Sequence, residues 1–141
     1  MPDDRIDEGF FEARDGLRLF RRTMPAARPV GHVALLHGYA EHLGRHAEIA
    51  RALVDGGYTV HLCDVRGHGQ SGGKRAHVDR FDEYLSDLEL FLARVRETAR
   101  ELPVFFLGHS HGALIGARYL LDHPEAVANL SNLQVDVLIH P

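Results

Sequence analysis

Val104-Phe105-Phe106-Leu107-Gly108-His109-Ser110-His111-Gly112-Ala113-Leu114-Ile115-Gly116 is the stretch on which the fold of this 141-residue chain turns. Residues 104–107 are a short apolar run suited to a buried strand. Residues 108–112 read Gly-x-Ser-x-Gly, and 113–121 begin a helical pattern closed by His123-Pro124. A strand that turns straight into a helix is too tight for side chains beside the turn. Gly108 and Gly112, two residues either side of Ser110, let the backbone close up and hold the serine strained and exposed. The helix that starts there aims its N-terminal N–H groups at the serine, which favours a developing negative charge. Ser110 is therefore the candidate nucleophile.

Working outward, residues 32–36 form a second apolar run, ended by His37-Gly38. In a parallel sheet the C-terminal ends of strands share one edge, so this loop and Ser110 belong on the same side. A tetrahedral oxyanion needs two N–H donors, one from the residue after the serine and one from the loop after an earlier strand. The candidates are the backbone N–H groups of His111 and Tyr39, with His37, Gly38, Gly108 and Gly112 shaping the two turns. Asp15-Gly16, between β-rich runs within 9–22, predicts a hairpin. Residues 24–29, with two prolines, form a loop; 45–55 show a helical period stopped by Gly56-Gly57; 58–63 form a strand; and 64–73 form a glycine-rich loop. Residues 81–102 carry apolar positions at helical spacing, and 135–139 predict a last strand. A hairpin followed by alternating strands and helices predicts an α/β protein, a mostly parallel sheet with helices on both faces.

Composition removes other classes. Sixteen Lys+Arg against 20 Asp+Glu give a net charge of −4, which is no basic nucleic-acid binder. A hydrophobic content of 45% is enough for a core. One cysteine, Cys63, cannot form an internal disulfide and reads as a buried thiol. No stretch approaches the about 20 apolar residues of a membrane helix, and the acidic N-terminus lacks a signal-peptide pattern, so the expected location is cytoplasmic. The 141 residues correspond to about one domain.

Three motifs carry a family resemblance. His37-Gly38-Tyr39-Ala40-Glu41-His42 with Gly44-Arg45-His46 resembles the His-Gly-x-x-Glu-His segment of monoacylglycerol lipases and bacterial lysophospholipases. Asp64-Val65-Arg66-Gly67-His68-Gly69-Gln70-Ser71 is similar to their Asp-x-Arg-Gly-His-Gly-x-Ser loop, and Leu107-Gly108-His109-Ser110 to their serine turn. The resemblance runs from about Gly9 to the last residue and implies an α/β-hydrolase fold. It further implies a serine hydrolase of lipid-like carboxylic esters that needs no cofactor and, in a longer form, touches membranes peripherally. Such families usually carry Met where His111 stands. The backbone donor survives that change, while pocket polarity need not. Residues 129–134 also read as longer and more polar than the family's link into its next strand.

The family's triad runs Ser, then Asp or Glu, then His along the chain. After Ser110 the acids are Asp122, Glu125 and Asp136, and the histidines that follow them are His123 and His140. Asp122-His123 falls at the far end of the helix that starts at Ser110, roughly 15–18 Å away at about 1.5 Å per residue. Asp136 and His140 share one short strand and read as structural. The resemblance puts acid and base on later strands, beyond a lid. The chain is accordingly expected to be the N-terminal, nucleophile-bearing part of one domain, 1–141. The alternative is a catalytically silent fragment or interaction module that self-associates through its last strand's exposed edge. Acyl transfer to an alcohol stays open, while epoxide and haloalkane hydrolases carry Asp where Ser110 stands.

Eleven histidines raise the question of a metal. His42 and His46 are four apart and could share a helical face, as zinc ligands do, but no third ligand stands at useful spacing. His37, His42, His68 and His109 belong to the motifs, and His61 and His77 read as plain strand and loop residues. The expectation is no metal. The loop 67–73 lacks the Lys-Ser/Thr of a phosphate cradle, and the Arg/Glu-rich positions of 89–101 read as a solvated helix side.

Overall fold

A computed structural model describes residues 6–126 in full and the backbone of 127–129 and 132–133. The strand expected over 135–139, with Asp136 and His140, lies outside the described residues. Among the described residues six strands form one sheet in the order β1-β2-β4-β3-β5-β6. The hairpin β1 (Asp7–Glu12) and β2 (Arg18–Met24) is antiparallel and joins β4 (Tyr58–Cys63) antiparallel. From there β4, β3 (Gly31–Leu36), β5 (Val104–Gly108) and the short β6 (Asn132–Leu133) run parallel. The hairpin turns where Asp15-Gly16 predicts it: Gly16, at φ +85°, donates its N–H to Ala13 O at 2.9 Å.

Alternation along the central strands fills both faces. Ala34, Leu36, Val104 and Phe106 point to one side, where they meet α2 (Phe81–Ala99) and α3 (His111–Asp122). Val33, Leu35, Val60 and Leu62 point to the other and meet α1 (Ala47–Asp55) through Ala50, Leu53 and Val54. The prediction of a mostly parallel sheet with helices on both faces holds.

Helix ends differ from the sequence expectation for local reasons. The helix expected from residue 45 begins at Ala47, because 43–46 wind as a tighter 3-10 turn. That turn is held at its start by Leu43 N–H on Asp64 Oδ1 (2.7 Å) and by Gly44 N–H on His42 Nδ1 (3.1 Å). The helix expected to reach 102 stops at Ala99, where Arg100 turns left-handed at φ 56°. Beyond α3, Pro124 opens α4 (Pro124–Asn129), a helix the sequence reading did not separate; proline suits a first helical position.

Sheet order places the site. From β3 the chain moves outward to β4 and returns on β3's other side as β5, so the two connections leave in opposite directions. The crevice at such a reversal lies outside the C-terminal strand ends. Leu36 and Gly108 are the last partners of the β3–β5 ladder, and the two loops of interest begin directly after them.

Candidate active site

Ser110 caps the N-terminus of α3 with φ 53° and ψ −112°, a left-handed conformation costly for a residue with a Cβ. Its side chain makes no capping bond to the helix, and the residue is exposed. The glycines around it are there for space. A Cβ on Gly108 would stand 2.6 Å from Ala113 Cα, and one on Gly112 would stand 2.4 Å from Leu36 O and 2.5 Å from His37 O. Both are contacts with backbone, which cannot swing aside. His109 N–H on Leu36 O (3.0 Å) and Gly112 N–H on His109 O (2.9 Å) fasten the turn to the end of β3.

Across the crevice, His37 is fully buried and has both ring nitrogens engaged. Val65 N–H donates to Nε2 at 2.9 Å, so Nε2 is unprotonated, and Nδ1–H donates to Gly38 O at 2.7 Å. Burial pushes the ring down to about 4, which keeps it neutral in this tautomer. Holding Gly38 O turns the peptide that follows, because a trans peptide points C=O and N–H to opposite sides. Tyr39 N–H is thereby directed away from His37. Among the described residues, the N–H groups of Gly38 and Gly112 have partners, whereas those of Tyr39 and His111 have none. Two unclaimed donors thus stand at the ends of β3 and β5, on the loops the sequence predicts. The Tyr39 hydroxyl reaches instead to Ala76 O, at 2.6 Å.

The His111 side chain lies edge-on to Tyr39 (5.6 Å between ring centroids), Tyr84 (5.2 Å) and Phe81 (6.3 Å). Its Nδ1 is buried with no partner among the described residues, and burial lowers its basicity. His111 therefore puts a neutral polar edge into an aromatic cluster.

The Asp64–Ser71 motif is scaffold. Asp64 is buried and accepts from Leu43 N–H and Gln70 N–H, while Ser71 accepts from Phe20 N–H and donates to Asp64 O. Gly69 at φ +50° is obligatory, since a Cβ there would overlap the Asp64 carboxylate. Arg66 binds Asp87 through two nitrogens (2.9 and 3.0 Å) and Asp15 through two more contacts (2.6 and 3.1 Å).

The far end of α3 is separate from this crevice. Asp122 pairs with Arg118, and His123 stacks on Tyr119 and bonds its carbonyl, as their distance from Ser110 along the helix requires. Nor do His42 and His46 share a helical face. His42 caps the 3-10 turn and is exposed. His46 instead meets Glu41 and His109, a grouping that sequence spacing hides because 68 positions separate Glu41 from His109. Burial works to raise the Glu41 carboxyl, but Gly38 N–H and the His109 and His46 rings outweigh it and hold it down at about 2. Among the described residues no helix is long and apolar enough to cross a membrane.

A parallel sheet with its topological reversal at a left-handed serine, faced by a His-Gly loop, defines an α/β hydrolase. Residues 27–131 match the family described as serine aminopeptidase, S33, and the chain belongs to that family. It is 41% identical over 99 residues to a monoacylglycerol lipase of Mycolicibacterium smegmatis, covering 67% of this chain and 35% of that protein. It is 34% identical over 128 residues to monoglyceride lipase of Homo sapiens, covering 90% of this chain and 42% of the relative. The fold superposes on a thermostable carboxyl esterase from Bacillus coagulans with a TM-score of 0.78 at 26% identity, over 91% of this chain and 43% of the esterase. The chain spans well under half the length of these proteins.

Proposed function

We propose that the chain is the nucleophile-bearing part of a serine hydrolase of carboxylic esters, of monoacylglycerol lipase or lysophospholipase type. The observation that carries this reading is the left-handed Ser110 at the head of α3, between two glycines that admit no side chain. Ser110 Oγ attacks the ester carbonyl carbon, and its proton passes to a general base. The carbonyl oxygen becomes an oxyanion that accepts from Tyr39 and His111 N–H. Collapse expels the alcohol, which takes the proton, and leaves an acyl group on Oγ; water then releases it by the same steps. An alcohol in place of water would give acyl transfer through the same intermediate. The base and its acid belong to later strands, and a lipid-like substrate brings the longer form against a membrane surface. A cytoplasmic location is part of this reading.

A second reading is favoured by Asp122 and His123, an acid followed by a histidine after Ser110, both bonded at the opposite end of α3. Under it the 141-residue chain is catalytically silent and self-associates through a sheet edge. A fluorophosphonate probe separates the two when applied to the chain and to the longer form. Labelling of Ser110 in the longer form, lost in Ser110→Ala, is the expected result. Turnover of a monoacylglycerol by the chain alone would remove the silent reading; a folded longer form left unlabelled would remove the hydrolase.

A further inference from the structure

We propose that Glu41, His46 and His109 form a divalent transition-metal site, best matched to zinc, that ties the loop after β3 to the turn before α3. One atom from each residue converges: Glu41 Oε1 lies 3.0 Å from His109 Nδ1 and 3.3 Å from His46 Nε2, and the three ligand atoms all fall within 4.8 Å of one another. Ligands about 2.0–2.2 Å from a tetrahedral zinc stand roughly 3.3–3.5 Å apart, so the two edges at Glu41, 3.0 and 3.3 Å, are already near those such an ion imposes, and the His46–His109 edge lies within 4.8 Å. The donor set agrees, because two imidazoles and one carboxylate suit zinc better than magnesium or calcium, which take oxygen ligands.

The surroundings are those of a held site. Glu41 Oε1 is anchored by Gly38 N–H at 2.7 Å, and Oε2 by Arg45 Nε at 3.1 Å, so the carboxylate is oriented before any ion arrives. The His46 and His109 rings are tilted at 60° with centroids 5.1 Å apart, which turns the two nitrogens toward a common point instead of stacking them. The three side chains are 13–17% exposed, enough for an ion to enter and for a water to take the fourth position. Binding requires each ring to move its proton from the coordinating nitrogen to the other one, and the bonds to Glu41 Oε1 are exchanged for bonds to the metal. No net charge change on the rings is needed.

The three ligands come from the loop after β3, the N-cap of α1 and the turn before Ser110. An ion there would crosslink the two loops that carry Tyr39 and Ser110, and raise the melting temperature. The inference does not depend on hydrolase activity and is tested without it. The metal-stripped 141-residue chain is titrated with cobalt(II), read by the visible absorption of tetrahedral cobalt, and then with zinc to displace it. One ion per chain with a tetrahedral spectrum and a raised melting temperature is expected. His46→Gln and Glu41→Gln should each weaken binding by at least about tenfold, the lower figure for losing even an outer partner of a metal. His77→Gln, at an exposed loop position paired with Asp79, should bind as the unaltered chain does. Because His46 is peripheral to both loops, its variant stays folded even if Glu41→Gln does not. The proposal is overturned by no tetrahedral spectrum, by unchanged affinity in His46→Gln, or by lost affinity in His77→Gln.

Discussion

At the residue scale the candidate site is a matter of where a Cβ fits. Gly108 and Gly112 were legible in the sequence because the constraint acts within a five-residue turn, and the local pattern carries it whole. Glu41 beside His109 was not, since nothing in either segment says that β3 and β5 are neighbours with Leu36 level with Gly108. Two glycines make the steric argument testable. Gly112→Ala puts a Cβ 2.4 Å from Leu36 O, a carbonyl that already accepts from His109 N–H, and relief requires parting α3 from β3. The expected cost is about 3 kcal/mol or more, at or beyond the upper end for overpacking. Gly16→Ala, at φ +85° with nothing within 4 Å, should cost only the left-handed penalty, about 1–2 kcal/mol. Urea unfolding of both variants checks this; equal losses would mean that space around Gly112 is not what selects glycine.

At the element scale, one side chain links the hairpin turn to helix α2, beside the Phe11–Phe91 stack and the exposed Arg14–Glu89 pair. Arg66 reaches Asp15 in the hairpin turn, 51 positions away, and Glu83 and Asp87 on α2. The sequence identifies Asp15-Gly16 as a turn through backbone preference alone; the carboxylate's second use depends on a partner no local pattern reveals. The contacts differ in weight. Asp15 and Glu83 are 48% and 28% exposed, so solvent screens them, whereas Arg66 and Asp87 are 9% and 10% exposed. Burial pushes the Asp87 carboxyl up against the pull of Arg66, which marks a charge tolerated only because its partner is there. Arg66→Met strands that carboxylate and should cost about 3–5 kcal/mol. Arg66→Met with Asp87→Leu removes both charges from the same apolar setting and should recover most of the loss. Chemical denaturation of the two single variants and the double variant reads the coupling directly. Additive losses would show that the Asp87 charge does not depend on Arg66 for its place in the fold.

At the scale of the whole molecule, the histidines acquire a common consequence. By sequence the eleven divide into motif members and scatter, and His61 reads as an ordinary strand residue. In the fold His61 is buried on β4, with Nε2 2.8 Å from His32 Nδ1 on the adjoining strand β3 and Nδ1 3.4 Å from Thr23 Oγ1 on β2. Pairing across strands is a tertiary fact, so periodicity could not show it. Burial, aided by the neighbouring His32, pushes His61 down to about 3, and burial pushes His37 down to about 4. Both titrate at about 6.5 when the chain unfolds. Each therefore has a folded-state value below its unfolded one, and the unfolded chain binds the extra protons. The stability these rings contribute is complete above about pH 6.5, declines as pH falls, and is exhausted below about 3–4. Two rings changing from neutral in the fold to charged in the coil lower stability by roughly 3–4 kcal/mol between pH 7 and pH 5. Glu41 acts in the same direction but lower, because its depressed value of about 2 matters only once pH drops through the carboxylate range. Urea midpoints measured from pH 8 to pH 5 in a chelating buffer should fall steeply below 6.5, with no fewer than about two protons taken up per chain unfolded near pH 5, since burial also lowers the His32, His46 and His111 rings. Uptake below one proton would mean that at least one of His37 and His61 is charged in the fold, and a charged His37 could not accept from Val65 N–H as described.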